Sequence, residues 1–311
     1  MNYENDMKTM VFIACAFGIL LNATDKKQLL PDSNLIPGNS YYGTGKYIEY
    51  IHGNMPLVLT APHGGYEKPE NIKDRTKSSV KQDKRTLEMT LEISDVIYKL
   101  TGKRPYLVIN RLHRVKLDPN RSEEIAVQGD SLARIAFDEF HEFIELAEKS
   151  IYDTWGIGFY VDIHAHRSKE RKIELGYLLD GEVLSLSDND IDDPFFVQNS
   201  SIRNLVSNSE YSFSNLIRGE VSFGAMLSKL GWEVLPSPQQ HEPTSEKYFA
   251  GGYNTTIHAA PEKYNFNGFQ IETHWEGLRD TDENMKKFCT DFVYVLRDYL
   301  KLHYNIDITI L

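Results

Sequence analysis

Four times along this chain a short apolar run with the character of a buried strand ends in residues that can bind a metal, carry positive charge or move a proton. The runs are Pro56–Gly65, Tyr106–Arg114, Phe159–His166 and Phe269–His274. Near-continuous apolar runs are how strands covered on both faces of an α/β sheet read, and ligands bind where the carboxyl ends of such strands open into a crevice. Ends carrying His63, Arg111 and Arg114, His164 and Glu272 therefore predict one site assembled from distant segments. That is the pattern of an enzyme.

Between these runs the apolar spacing turns helical. Residues Glu88 to Leu100 carry Leu91, Ile93, Val96, Ile97 and Leu100, and Thr101-Gly102 ends them; Leu132 to Trp155 reads as a long amphipathic helix. Ser222 to Leu230 and Asp282 to Tyr304 read as two more, the last carrying Met285, Phe288, Phe292, Val295, Leu296 and Tyr299. Short strands are predicted at Ile48–Ile51, Glu174–Leu179 and Trp232–Leu235. Acidic Asp188–Asp193 and the Ser- and Asn-rich Asn199–Ser214 read as loop. With no internal repeat and no break in composition, residues 46–311 predict a single α/β domain, a mixed, mostly parallel sheet flanked by helices.

The 41% hydrophobic and 25% charged content argues against wholesale disorder, and the net charge of −11 argues against nucleic acid as a partner. An anionic small molecule remains compatible, because a few arginines in a cleft set the local field. Residues 1–24 read as a signal peptide or an N-terminal hydrophobic segment. Lys8 precedes the apolar stretch Met10–Leu21, which is short for a transmembrane helix. This predicts a secreted, periplasmic or cell-envelope protein with no stable membrane span after removal of the segment, and a cytoplasmic one if the segment is not a signal. Residues 25–45 read as linker. Cys289 is the one cysteine beyond Cys15, so no disulfide is expected within the mature chain.

His63 precedes Gly64-Gly65, where backbone can turn tightly and a ligand can approach. Alternation puts Asp162, His164 and His166 on one side of a strand, and polar groups so placed need partners. His164 is the favoured metal ligand, with a nearby carboxylate to orient it, as histidine–metal sites require. Glu67, Glu70, Asp74 and Asp83 all follow His63 as candidates for a third ligand, and spacing does not choose among them. Glu272, in an apolar strand, suits a general base beside a metal-activated water, or else pairs structurally with an arginine such as Arg279. Arg111, Arg114, Lys116 and Arg121 suggest a wall that grips a carboxylate.

Taken together, Pro62-His63-Gly64-Gly65-Tyr66, Lys68-Pro69-Glu70, Asp74-Arg75, Asp83, Asn110, His113-Arg114, Asp118-Pro119-Asn120-Arg121, Asp162-Ile163-His164, Gly251-Gly252-Tyr253 and Gln270-Ile271-Glu272 resemble the N-formylglutamate amidohydrolase family. The resemblance implies a zinc carboxypeptidase-like (phosphorylase/hydrolase-like) fold, akin to the aspartoacylase-like enzymes, with one Zn2+ at the edge of an eight-stranded sheet. It implies His63 and His164 as zinc ligands, Glu272 as general base and Arg114 polarising the scissile carbonyl. Asn120 and Arg121 would hold a substrate carboxylate, and Tyr253 would cover it. The carboxypeptidase His-x-x-Glu pair is absent, since Tyr66 stands in the Glu position; the third ligand is then Asp83, with Glu70 as the alternative. The implied activity is hydrolysis of the amide of an N-acyl amino acid, N-formyl included, or of a related carboxylate-bearing amide. A carboxypeptidase-like hydrolase of peptides or cell-wall peptides, and an inactive carboxylate-binding homologue, are the alternatives.

Overall fold

The computed structural model describes residues 35–309, apart from 168–170 and 245–247. The hydrophobic segment 1–24 lies outside the described residues. Eight strands, β1 (Ser40–Tyr42), β2 (Ile48–Ile51), β3 (Leu57–Ala61), β4 (Tyr106–Asn110), β5 (Gly158–Ala165), β6 (Ile173–Gly176), β7 (Val234–Leu235) and β8 (Phe266–Thr273), form one sheet in the order β1-β2-β4-β3-β5-β8-β6-β7. The central block β4-β3-β5-β8 is parallel, and β7 runs parallel to β6. The pairs β1–β2, β2–β4 and β6–β8 are antiparallel. The sheet is thus mixed, with parallel pairing where the four chemistry-bearing runs lie.

The long helices follow their sequence signals. Helix α1 (Thr86–Thr101) precedes β4, and its C-cap Gly102 takes φ +70°, a conformation open to glycine. After the short α2 (Glu123–Val127), α3 (Ser131–Trp155) is capped by Asp130, whose carboxylate accepts from the backbone N–H of Leu132 and Ala133. Six short helices follow β6: α4 (Gly181–Leu184), α5 (Asp188–Ile191), α6 (Pro194–Asn199), α7 (Arg203–Val206), α8 (Phe213–Arg218) and α9 (Phe223–Ser228). A π-helical turn at Thr255–Ala259 precedes β8, and α10 (Asp282–Tyr304) follows it.

The sheet's two faces differ. Leu57, Leu59, Ala61, Phe159, Val161, Ile163, Phe269 and Ile271 face a core shared with α1 and α10. On the opposite face Val58, Val108, Tyr160 and Phe266 pack with Phe140, Phe143 and Ile144 of α3. Farther along the same strands that face turns polar: Thr60, Asp162, His164, Gln270 and Glu272 share its alternation and are all buried. Polar groups so deep are tolerable only if they satisfy one another or a ligand. The fold therefore confines the polar chemistry to one end of one face.

Three expectations are corrected. Ser40–Tyr42, inside the stretch read as linker, is the edge strand β1, paired with β2. The segments read as loop between Asp188 and Ser214 contain helices α5 and α7 and the start of α8, with α6 between them; three of these four are started by an oxygen-bearing cap at Ser187, Asp193 and Ser212. The strands foreseen at Glu174–Leu179 and Trp232–Leu235 end and begin closer in, at Gly176 and Val234. Beyond these ends Tyr177 packs edge-on against Phe269 and Trp232 against Phe288.

Candidate metal centre and cleft

His63 lies just past the carboxyl end of β3. Its loop is held by Gln82, whose side-chain amide donates to the carbonyls of Gly64 and Gly65 at 3.0 and 2.9 Å. A side chain at Gly65 would overlap the Arg111 backbone, so the close approach of two loops explains that glycine. The Asp83 backbone N–H donates to the His63 carbonyl at 3.1 Å, which puts Asp83 beside the histidine and ahead of α1. His164 stands near the end of β5, opposite Glu272 of β8 in the parallel register.

These positions bring His63, Asp83 and His164 into one buried group whose donor atoms all lie within 4.8 Å of one another. Nδ1 of His63 and Nδ1 of His164 approach the same Asp83 oxygen, Oδ2, at 3.3 and 3.2 Å. Their other nitrogens are engaged by separate carboxylates: His63 Nε2 by Asp118 Oδ1 at 2.6 Å, and His164 Nε2 by Asp162 Oδ2 at 2.8 Å. Carboxylates on Nε2 favour the tautomer that leaves each Nδ1 a lone pair. Two lone pairs and an anionic oxygen then converge on one point, an arrangement that repels itself unless a cation or a proton lies between. A histidine that binds metal through one nitrogen and donates from the other to a carboxylate is the usual support of such a site. The donor set of two imidazoles and one carboxylate fits a metal ion with a coordination position left open. Glu70, the alternative third ligand, is exposed on its loop and outside this group.

Without an ion, a proton on His164 answers that demand. Burial opposes charge on His164, but the Asp162 charge and bond, the Asp83 bond and the Glu272 charge push its pKa up to about 10. Burial likewise opposes ionisation of Asp83, yet the two histidines hold its carboxyl well below the usual range. Asp118 is held low against burial by His63, Arg114 and Arg121. Glu272 goes the other way: burial first, then the Asp83 and Glu174 charges, push it up to about 8. Its Oε1 accepts from the Gln270 amide at 3.0 Å, while Oε2 is buried with no hydrogen-bond partner. Arg279 is not that partner. Its guanidinium donates to the carbonyls of His274, His166, Thr273 and Lys84, tying together the ends of β5 and β8 and the loop before α1.

A cleft of about 490 Å³ opens over this group, lined among others by Arg114, Asn120, Arg121, His166 and Glu272. Arg114 donates through Nε to Asp118 at 2.9 Å and lies 3.6 Å from Asp83 through Nη1. Its backbone is anchored by Arg75, a residue for which sequence reasoning supplied no role, donating to the Arg114 carbonyl at 2.8 Å. Asn120 lines the cleft, but its amide is committed. Its Oδ1 accepts from Asn254 N–H at 2.9 Å and its Nδ2 donates to Gln270 Oε1 at 3.5 Å, while His164 Nε2, 3.2 Å away, holds a proton of its own and offers Nδ2 no acceptor. Arg121 donates to the Asn120 carbonyl at 2.8 Å, which spends one guanidinium nitrogen. Tyr253 is not among the cleft-lining residues; its ring packs near His141 and Phe137.

Sequence reasoning missed a buried relay behind this wall. Glu148 and His141 of α3 flank His258 of the π-helical turn. Glu148 Oε1 lies 2.9 Å from His258 Nδ1, His258 Nε2 lies 2.9 Å from His141 Nδ1, and His141 Nε2 lies 3.2 Å from the Pro119 carbonyl. A carbonyl only accepts, so His141 donates from Nε2. With both imidazoles neutral, His258 donates to His141, and the Glu148 carboxyl carries the proton that bonds His258. Burial above all raises Glu148 well above the ordinary carboxyl range and lowers His258 to about 4 and His141 to about 3. The relay ends on the backbone of the segment that carries Asp118, Asn120 and Arg121. No single stretch of sequence contains it, so no motif could have revealed it.

No protein-family model and no curated protein sequence matches this chain. Among solved structures it is similar to N-formylglutamate amidohydrolase from Ralstonia eutropha JMP134, at 13% identity and a TM-score of 0.49, over 81% of this chain and 95% of that one. A gene product of Agrobacterium tumefaciens is similar at 14% identity and a TM-score of 0.49, over 82% of this chain and 94% of the other. Succinylglutamate desuccinalase from Vibrio parahaemolyticus is similar at 9% identity and a TM-score of 0.34, over 91% and 80%. Among the described residues no helix is long and apolar enough to cross a membrane.

Proposed function

We propose that this chain is a zinc-dependent amidohydrolase that cleaves the amide of an N-acyl amino acid or a related carboxylate-bearing amide. The observation that carries the reading is the convergence of two histidine Nδ1 atoms on one Asp83 oxygen, each histidine held from behind by its own carboxylate. His63, Asp83 and His164 would hold the ion. When bound, zinc in such a set supplies a Lewis acid that polarises a carbonyl and makes water more acidic.

The chain's own residues supply the rest. Glu272 takes a proton from the attacking water at Oε2, the oxygen without a protein partner, and returns it to the departing amine. A carboxyl raised by burial is well suited to holding that proton between the two steps. Arg114, fixed by Asp118, presents its guanidinium to the oxygen on which negative charge develops. Arg121 donates to the substrate carboxylate. Asn120, its amide engaged by Asn254 and Gln270, sets the position of Arg121 instead of binding substrate directly. Tyr253, packed near His141, supports the same wall.

The test is paired. His164→Ala should lose bound zinc by metal analysis of the purified protein. Glu272→Gln should keep the metal and lose on the order of 10²–10⁴ in turnover, the usual contribution of a general base. A His164→Ala protein with full zinc occupancy removes the ligand assignment, and a Glu272→Gln protein with undiminished turnover removes the base.

A further inference from the structure

Beside the cleft lies a second cavity of about 500 Å³. It meets the cleft at Gln82, Asp83, Ala165 and Arg167, which line both. Its remaining wall includes Lys84, Arg171, His274, Trp275 and Arg279. In a chain of net charge −11, four cations stand here against Asp83 and Glu276. Asp83 belongs to the metal-binding group, and Glu276 is paired with Arg171. Exposed Arg167, at the junction of the two cavities, has no hydrogen-bond or ion-pair partner among the described residues. Buried Arg279 lies against the indole of Trp275, 5.4 Å from its centroid, and fixes a half-exposed aromatic surface over a permanent positive charge. His274, 6% exposed, lines the same wall.

The position of this annex gives it a role. Arg121 and Arg114 line the cleft but not the annex; Arg167 lines both, and Arg171 and Trp275 line only the annex. Asp83, the middle residue of the metal-binding group, is where the two meet. A substrate whose amino-acid carboxylate rests on Arg121 and whose amide lies at the metal would send its acyl portion toward Arg167 and Trp275. A formyl group would leave that space unused.

We propose that the annex is the acyl-side subsite, and that it takes an extended acyl group ending in a carboxylate, its methylene chain on Trp275 and its charge on Arg167. The proposal rests on the amidohydrolase reading for the direction of the substrate. Arg offers a fork of donors matched to a carboxylate, and a charge-assisted pair in a partly enclosed cavity changes affinity by about tenfold or more.

The experiment compares N-glutaryl- and N-adipylglutamate with their uncharged matches, N-pentanoyl- and N-hexanoylglutamate. Hydrolysis by the zinc-loaded full chain is measured, together with calorimetric binding to the Glu272→Gln protein, which needs no turnover. The charged member of each pair should be favoured about tenfold or more in kcat/KM and in binding. Arg167→Ala should collapse that ratio and Arg167→Lys should restore part of it; Trp275→Ala should weaken the longer acyl groups of both kinds. Equal binding of charged and uncharged members overturns the subsite, as does an Arg167→Ala protein that keeps the ratio. Charge-selective binding without hydrolysis of any of the four keeps the subsite and counts against the amidohydrolase reading.

Discussion

The relay from Glu148 to Pro119 makes a prediction whose sign depends on where one proton sits. With both imidazoles neutral, the Glu148 carboxyl must donate to His258 Nδ1, and a glutamine amide can donate in its place. Glu148→Gln should therefore fold as wild type. Glu148→Met leaves a buried acceptor without a donor and should cost about 1–3 kcal/mol. The stronger expectation concerns pH. Burial raises the folded pKa of Glu148 well above its ordinary value, so the unfolded chain gives up this proton above about pH 4.5 while the folded chain keeps it. The stability that Glu148 contributes is present in acid and is lost as pH rises toward the folded pKa, at a slope of up to about 1.4 kcal/mol per pH unit. Glutamine has no proton to lose. His258 and His141, lowered to about 4 and about 3, work in the opposite direction: their contribution is present above about pH 6.5 and is lost as pH falls toward the folded values. Both histidines remain in the variant, so they cancel from the comparison. Urea unfolding of wild type and Glu148→Gln across about pH 5 to pH 8 should show the variant gaining relative stability with pH. A gap that stays constant, or that moves in favour of wild type, would mean that the pair is a carboxylate and an imidazolium, and the proton assignment would be wrong.

Two further outcomes follow from the packing around the candidate metal-binding group. Asp162→Asn keeps the shape of the side chain but weakens the acceptor at His164 Nε2, and zinc affinity measured against a chelator should fall roughly 10- to 100-fold, as for other supporting carboxylates; unchanged affinity would mean that Asp162 serves only the Thr60 hydroxyl and the Asn254 amide, which also donate to it. Gly252→Ala puts a methyl group onto the Asn120 amide, so it should displace the Asn120–Arg121 segment and raise KM more than it lowers kcat, and an unaltered KM would show that this contact has room to yield.

Much of the frame was legible because alternation survives in the sequence. Asp162-Ile163-His164 and Gln270-Ile271-Glu272 each place two polar residues on one face with an apolar residue between, and those faces coincide in the parallel register. The long helices were legible because α3 and α10 run far enough for their apolar stripes to repeat. Helices of four to six residues between Ser187 and Arg218 offer no such repeat, and the one that starts at Arg203 lacks even a side-chain cap. Within the site, the chain order of His63, Asp83 and His164 could not tell Asp83 from Glu70. What separates them is a tertiary contact, the Asp83 N–H bonded back to the His63 carbonyl. The second orienting carboxylate, Asp118, was visible as part of a basic turn, but its bond to His63 Nε2 depends on that turn folding back over β3. Tyr253 illustrates the converse: Gly-Gly-Tyr resembles a mobile cover, yet the ring is taken up by the rings of α3.

His164 and Glu272 occupy one rung of adjacent strands, yet everything from His166 to Asn265 lies between them in the chain. The gap between their backbones is set by the spacing of hydrogen-bonded strands, roughly 4.8 Å, and not by the length of that excursion. Insertions or deletions among the short helices, none of which lines the cleft, can therefore be absorbed while leaving Glu272 at the same remove from His164. Only a slip of β8 against β5 would part them, bringing Ile271 or Thr273 opposite His164. For an engineer the excursion is the place to graft new loops, and the β5–β8 seam is the place to leave alone.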